Sequence, residues 1–245
     1  ALQKAQDDGF SEETIGGIIR RAGGEGIPSG SMLMWLEAWI DEARIALTHS
    51  TNQNAAFETA LLEARNRFRR GDLAVASEPL MDLLAKEEAE SRQKKERYIR
   101  AAVEIDILAF AFNEAIAKLD LLAAPSELDL SNPVSMTFFY HTQGNYYYSS
   151  GSTTASNGEL LLAIRLYERA LSAARTQQLS SEQASALVAL GNAQMILGTR
   201  ESDNDRLYSA VESFNQALLS LGKDIEASQS AAIQCSLGQT WSSLA

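Results

Sequence analysis

Leu190-Gly191-Asn192-Ala193-Gln194-Met195-Ile196-Leu197-Gly198-Thr199-Arg200-Glu201-Ser202-Asp203 decides the fold, because its landmarks recur at one interval. Gly144, Gly191 and Gly238 stand 47 residues apart, and Gly151/Gly198, Ala163/Ala210 and Ala170/Ala217 keep the same spacing. The flanking residues read Gln143-Gly144-Asn145-Tyr146 in one copy and Leu237-Gly238-Gln239-Thr240 in another. A fixed period of this size marks a small unit that cannot bury its apolar face alone and stacks on copies of itself.

The composition makes those units helical. The 245 residues hold four prolines and are rich in Ala, Leu, Glu and Gln, which favour helix over strand. Hydrophobic residues make up 45% and charged residues 22%, enough to bury a core and unlike a disordered chain. Ser131-Asn132-Pro133 reads as a helix start, a capping residue followed by proline in the first turn. From there helices are expected near 133–149, 159–175, 181–197, 205–221 and 226–244. The polar segments 152–158 and 199–205 fall between helices in this reading.

The repeats resemble the tetratricopeptide repeat. Its signature, a large residue, x2-Leu-Gly-x2-Tyr, then Ala-x3-Phe, is matched in part by Leu187-x2-Leu190-Gly191-x2-Gln194 with Ala210-x3-Phe214. Tyr140-x2-Gln143-Gly144-x2-Tyr147 with Ala163-x3-Tyr167, and Gln234-x2-Leu237-Gly238-x2-Trp241, are further copies. Small residues allow close helix approach, and Tyr147, Tyr167, Phe214 and Trp241 fill the gaps. The 47-residue period and the run Leu197-Gly198-Thr199-Arg200-Glu201-Ser202-Asp203 are similar to a long-period bacterial group of that family. The resemblance implies an all-α fold, a right-handed superhelical solenoid of antiparallel helix hairpins. The first copy lacks the Arg-Glu-Ser-Asp pattern and the third is truncated; the chain, which opens on Ala1, reads as a piece of a larger protein.

Three regions are expected: residues 1–28, short helices and a glycine-rich linker; 29–125, degenerate hairpins; and 126–245, the repeat array. Gly23-Gly24-Glu25-Gly26-Ile27-Pro28 lacks the Gly-Lys-Ser/Thr ending of a phosphate loop and reads as a linker, leaving residues 1–22 loosely docked or part of a neighbouring domain. Leu36, Trp39, Ile40, Ala43 and Leu47 keep helical spacing and read as core. Gly71-Asp72 splits a helical pair. Pro79 either kinks the second helix or sits in its first turn.

The formal charge of −11 disfavours nucleic acid. Two basic runs stand against it. Arg65, Arg67, Arg69 and Arg70 end a helix and complement its dipole. Arg92 to Arg100 follow Glu87, Glu88 and Glu90 at i,i+4 spacing on a solvated face. No apolar run reaches membrane-spanning length. Cys235, the single cysteine, allows no internal disulfide and fits a cytoplasmic location, as a small buried thiol.

Nothing in the motifs calls for catalysis, a cofactor or a metal. His49 and His141 stand alone, and Glu104 and Asp106 point to different sides of one helix. The resemblance instead implies a groove lined by the first helix of each hairpin. It carries over Phe138, His141, Thr142, Asn145, Tyr148 and Ser149 from the first copy. The second copy gives Ser185, Val188, Ala189, Asn192, Met195 and Ile196, and the third Ala232, Cys235, Ser236, Gln239, Ser242 and Ser243. Asn145, Asn192 and Gln239 form an amide ladder for a peptide backbone, with Phe138, Tyr148 and Met195 as apolar contacts; equally, these amides cap turns or pack between repeats. Without lysine or arginine at these positions, a terminal carboxylate is a poor ligand.

The expected function is a non-catalytic scaffold that binds a protein or peptide. The alternative is a regulatory or sensory segment of a larger multidomain signalling or effector protein. A homo-oligomer through Ile233, Leu237, Trp241 and Leu244 of the last helix is a third arrangement.

Overall fold

The computed structural model describes residues 2–24, 32–47, 55–86, 92–123, 132–221 and 227–244. Glu25 to Pro28, His49, Glu87, Glu88, Glu90 and Pro125 lie outside the described residues. Those described form twelve α-helices and no strand. The chain divides into two compact units, Ala1–Leu122 and Ala123–Ala245.

The first unit contains α1 (Leu2–Asp7), α2 (Glu12–Gly24), α3 (Met32–Ala46), α4 (Ala55–Arg70), α5 (Glu78–Lys86), α6 (Arg92–Leu108) and α7 (Phe112–Asp120). Helices α1 and α2, with the residues between them, contribute Ala5, Phe10, Ile15, Ile18 and Ala22 to its core. Phe10 lies 5.4 Å from the Trp39 ring and 6.4 Å from Phe68, and Ile15 and Ile18 are buried. Helix α4 stops where Gly71 takes φ +98°, with Gly71 N–H donating to Phe68 O and Asp72 N–H to Arg67 O. That pair of bonds closes a helix end around a left-handed residue that only glycine adopts without strain. The carbonyls of Phe68 and Arg69 are taken by Thr14 Oγ1, and Arg69 O also by Ser11 N–H. The start of α2 thus satisfies the end of α4.

Pro79 is the second residue of α5, in its first turn, where its missing N–H has no helical partner to lose. The Trp35 and Trp39 helix is core, as expected. Asp106 is buried and accepts from Ser77 Oγ and Lys118 Nζ, each at 2.7 Å, while Glu104 is exposed. Burial pushes the Asp106 carboxyl above its ordinary value, opposed by Lys118. In the first basic run, Arg67 pairs with Glu63 and Glu78, and Arg70 with Glu63 and Asp72.

The second unit contains α8 (Pro133–Thr154), α9 (Asn157–Thr176), α10 (Ser180–Glu201), α11 (Asn204–Leu221) and α12 (Ala227–Leu244). The sequence period reappears at the helix ends: Pro133, Ser180 and Ala227 begin helices 47 residues apart, as do Asn157 and Asn204. Asn132 caps α8 by accepting from Val134 N–H, with Pro133 next. Each helix packs on its chain neighbour, and α8 also touches α10, as α10 touches α12.

The segments expected as loops are helix. Helices α8 and α10 run on through Thr154 and Glu201, leaving two-residue turns, Ala155-Ser156 and Ser202-Asp203. The turns are left-handed at Ala155 (φ 61°) and Ser202 (φ 52°). Ser156 Oγ then accepts from Glu159 N–H, and Asp203 Oδ1 from Arg206 N–H, to start the returning helix. The long period therefore comes from longer helices.

At the crossings the repeat glycines do similar work. A Cβ on Gly144 would lie 2.5 Å from the Tyr167 ring, and one on Gly191 2.8 Å from Phe214. Both rings are buried. Gly238 differs: nothing lies within 4 Å of a Cβ there, and Trp241 is 52% exposed rather than filling a gap. Among the described residues no following helix lies on that face. Cys235 is exposed, not buried. Ile233, expected on the uncovered face, is buried on the inner side of α12.

Candidate functional site

The first helices of the three repeats converge on one cleft of ≈ 440 Å³. His141 of α8 forms one side. Ser181, Ala184, Ser185, Val188, Ala189 and Asn192 of α10 form the wall, and Leu221, Gln229, Ala232 and Ile233 close it from α11 and α12. Among the described residues that line it there is no lysine, arginine, aspartate or glutamate, so none of these would supply a counter-ion to a charged ligand group.

Of the residues singled out in the sequence, the cleft brings together His141 and Asn192, with Ser185, Val188, Ala189 and Ala232 beside them. Phe138 is 65% exposed outside it, and Asn145, Tyr148, Met195 and Gln239 also lie off its lining. Asn145 serves the packing instead. Its Oδ1 accepts from Tyr167 O–H at 2.9 Å, which bonds α8 to α9. Phe214 stands one period after Tyr167 and has no hydroxyl, so Asn192 keeps its amide unbonded among the described residues. A lone phenol–phenyl difference between copies was the only sequence signal for these separate roles.

His141 joins two repeats. Its Nε2 lies 3.3 Å from Ser185 Oγ and its Nδ1 3.3 Å from Asn145 Nδ2, while its ring is 5.7 Å from that of Tyr167. Burial pushes the imidazole below its ordinary value, opposed by a hydrogen bond with the Ser185 backbone, so the neutral ring is favoured at pH 7. Burial, and Tyr148 beside it, push the Tyr167 phenol up, so it stays an O–H donor. With Asn145 Nδ2–H donating to Nδ1, the ring hydrogen sits on Nε2 and points at Ser185 Oγ. A base that activates serine needs the reverse arrangement.

A second cluster ties the repeats at their turns. Arg200 Nη1 donates to Gly151 O at 3.0 Å and Nη2 to Ser152 O at 3.1 Å, covering carbonyls left open at the end of α8. Asn157 Nδ2–H donates to Glu201 Oε1, and Arg206 lies beside Glu201 and Asp203. The Arg-Glu-Ser-Asp motif thus fastens one repeat to the one before.

Compared with known proteins, the chain matches no family model, no curated protein and no solved structure. Among the described residues no group of three His, Cys, Asp or Glu could hold a metal ion. No described helix is long and apolar enough to cross a membrane.

Proposed function

We propose that the second unit is a tetratricopeptide-type array, a right-handed solenoid of hairpins. In this reading it is a non-catalytic scaffold that holds a peptide or a segment of a partner protein in the cleft. The observation that supports this most is the convergence of α8, α10 and α12, one helix from each repeat, on one recess whose described lining carries no Lys, Arg, Asp or Glu. Stacked hairpins of one period produce such a recess because equivalent faces of successive first helices are brought side by side. Apolar Val188, Ala189 and Ile233 offer contact area, and the amide of Asn192 offers backbone pairing. The acidic charge of −11 favours protein over nucleic acid as partner.

Selection of a displayed random peptide library on the chain tests this. Enriched peptides should bind the purified protein and lose at least tenfold in affinity in Ala232→Arg, which fills the cleft from an exposed helix position. Enriched peptides that bind Ala232→Arg as well as the parent would place recognition elsewhere.

A further inference from the structure

Four side chains on three helices form one directed hydrogen-bond chain that ends in the cleft. Tyr167 O–H donates to Asn145 Oδ1 at 2.9 Å, and Asn145 Nδ2 faces His141 Nδ1 at 3.3 Å. His141 Nε2 then faces Ser185 Oγ at 3.3 Å. The direction follows from the orientation of the Asn145 amide, whose nitrogen faces the ring and whose oxygen faces Tyr167. An amide nitrogen only donates, so Nδ1 accepts, and a neutral ring then carries its hydrogen on Nε2. Ser185 Oγ accepts that hydrogen and has one of its own.

Many helical hydroxyls here return their hydrogen to the carbonyl four residues back, as Thr153, Ser209 and Ser220 do. Ser185 has no such bond among the described residues; its hydroxyl lines the cleft. Asn192, also without a side-chain partner there, lies seven residues further along α10. That is about 10.5 Å along a helix axis, the length of about three residues of extended chain. Between the two polar groups sit Val188 and Ala189, with Ile233 and Leu221 across the cleft.

We propose that this relay leaves the Ser185 hydroxyl hydrogen free to be donated to the ligand. The cleft then selects an uncharged, extended peptide segment. One backbone carbonyl sits at Ser185, an apolar side chain lies over Val188 and Ala189, and the backbone three residues on pairs with Asn192. The proposal rests on the peptide-cleft reading above. It adds a polarity and a residue that confers it, Ser185, positioned by Tyr167, Asn145 and His141. Only hydrogen bonds are involved; no bond is made or broken.

The probe is the blocked tetrapeptide acetyl-Ala-Val-Ala-Ala-amide, titrated into the 245-residue protein and followed by amide NMR shifts, with nitrogen-15 spectra reporting the imidazole tautomer. The expected result is a His141 ring protonated on Nε2 and saturable shifts at Ser185, Val188, Ala189 and Asn192. Ser185→Ala should weaken the peptide about three- to tenfold, the loss of one neutral hydrogen bond. Tyr167→Phe should let the ring shift towards the Nδ1–H form and weaken the peptide too. It should fold, since Phe214 already occupies the matching place in the next repeat. A free C-terminal carboxylate on the peptide should bring no gain. An Nδ1–H ring in the parent protein, or Ser185→Ala binding as tightly as the parent, overturns the inference alone. No saturable binding by the parent overturns the peptide-cleft reading with it.

Discussion

Placing a methyl group at Gly191 should lower stability, whereas the same change at Gly238 should raise it. A Cβ at Gly191 would lie 2.8, 2.9 and 3.0 Å from Cε1, Cζ and Cδ1 of Phe214. That ring is 0% exposed, so it cannot swing into solvent. Overfilling a packed crossing costs about 1–3 kcal/mol. Alanine in a helix interior returns about 1 kcal/mol relative to glycine, so the net loss for Gly191→Ala is about 0–2 kcal/mol. At Gly238 nothing lies within 4 Å, and only the helix gain of about 1 kcal/mol remains. The two variants should therefore differ by about 1–3 kcal/mol, the packing contribution itself. Gly144→Ala, facing Tyr167 at 2.5 Å, should lose at least as much as Gly191→Ala. Urea unfolding followed by far-ultraviolet circular dichroism gives the midpoints at constant slope. Hydrogen exchange in α12 reports the gain at Gly238, since an end helix opens on its own. If Gly191→Ala stabilises as much as Gly238→Ala, the repeat glycines are not close-approach sites and the stacking argument fails.

Arg200→Ala should cost about 1 kcal/mol by uncovering two carbonyls of α8. Arg200→Lys should restore less than half of it, because a single ammonium cannot span both oxygens; full recovery in a denaturation series would reduce the clamp to simple charge. Burial raises the Glu159 carboxyl above its ordinary 4.5, against the bonds from Ser150 and Thr154. The folded chain then binds that proton more tightly than the unfolded one, so this contribution to stability is present below pH 4.5 and falls as pH rises through the raised value. Glu159→Gln should flatten that decline in unfolding free energy measured between pH 4 and 7, and an unchanged slope would contradict the burial argument. The His141 ring should titrate with a midpoint under 6.5 by NMR, its stabilising effect present above 6.5 and lost as pH falls through the lowered value. A midpoint at 6.5 would mean that the ring faces water, and one above 6.5 that it faces an acid.

The repeat was legible because its landmarks are single residues that geometry cannot replace. Gly144 and Gly191 admit aromatic rings, and Asn132-Pro133 starts a helix with both a cap and a fixed φ. The helix lengths were hidden for the opposite reason. Residues 151–154 read as a polar loop, yet Thr153 and Thr154 donate their hydroxyls to the carbonyls of Ser149 and Ser150 and sit comfortably in a helix. The turns that follow carry Ala155 and Ser202 in the left-handed conformation, as does Gln178 after α9. Glycine would have announced those stops; other residues adopt them at a cost that the surrounding packing covers.

The site was legible by position and illegible by role. Counting from the glycines found the wall of the cleft, Ser185, Val188, Ala189 and Asn192. It did not separate Asn145 from Asn192, because their difference lies in Tyr167 and Phe214, each on the next helix and 22 residues along the chain. Nor did it place Leu221, which reaches the cleft from the end of a second helix.

Everything about the cleft depends on the first hairpin lying on the second in this register. Nuclear Overhauser contacts between the His141 ring and the Ser185 β protons measure that directly, since the two atoms 3.3 Å apart belong to α8 and α10. The account predicts these contacts together with those of the Gly144 α protons to the Tyr167 ring. Hairpin contacts without the His141–Ser185 contact would show that the hairpins form but do not stack to build a cleft.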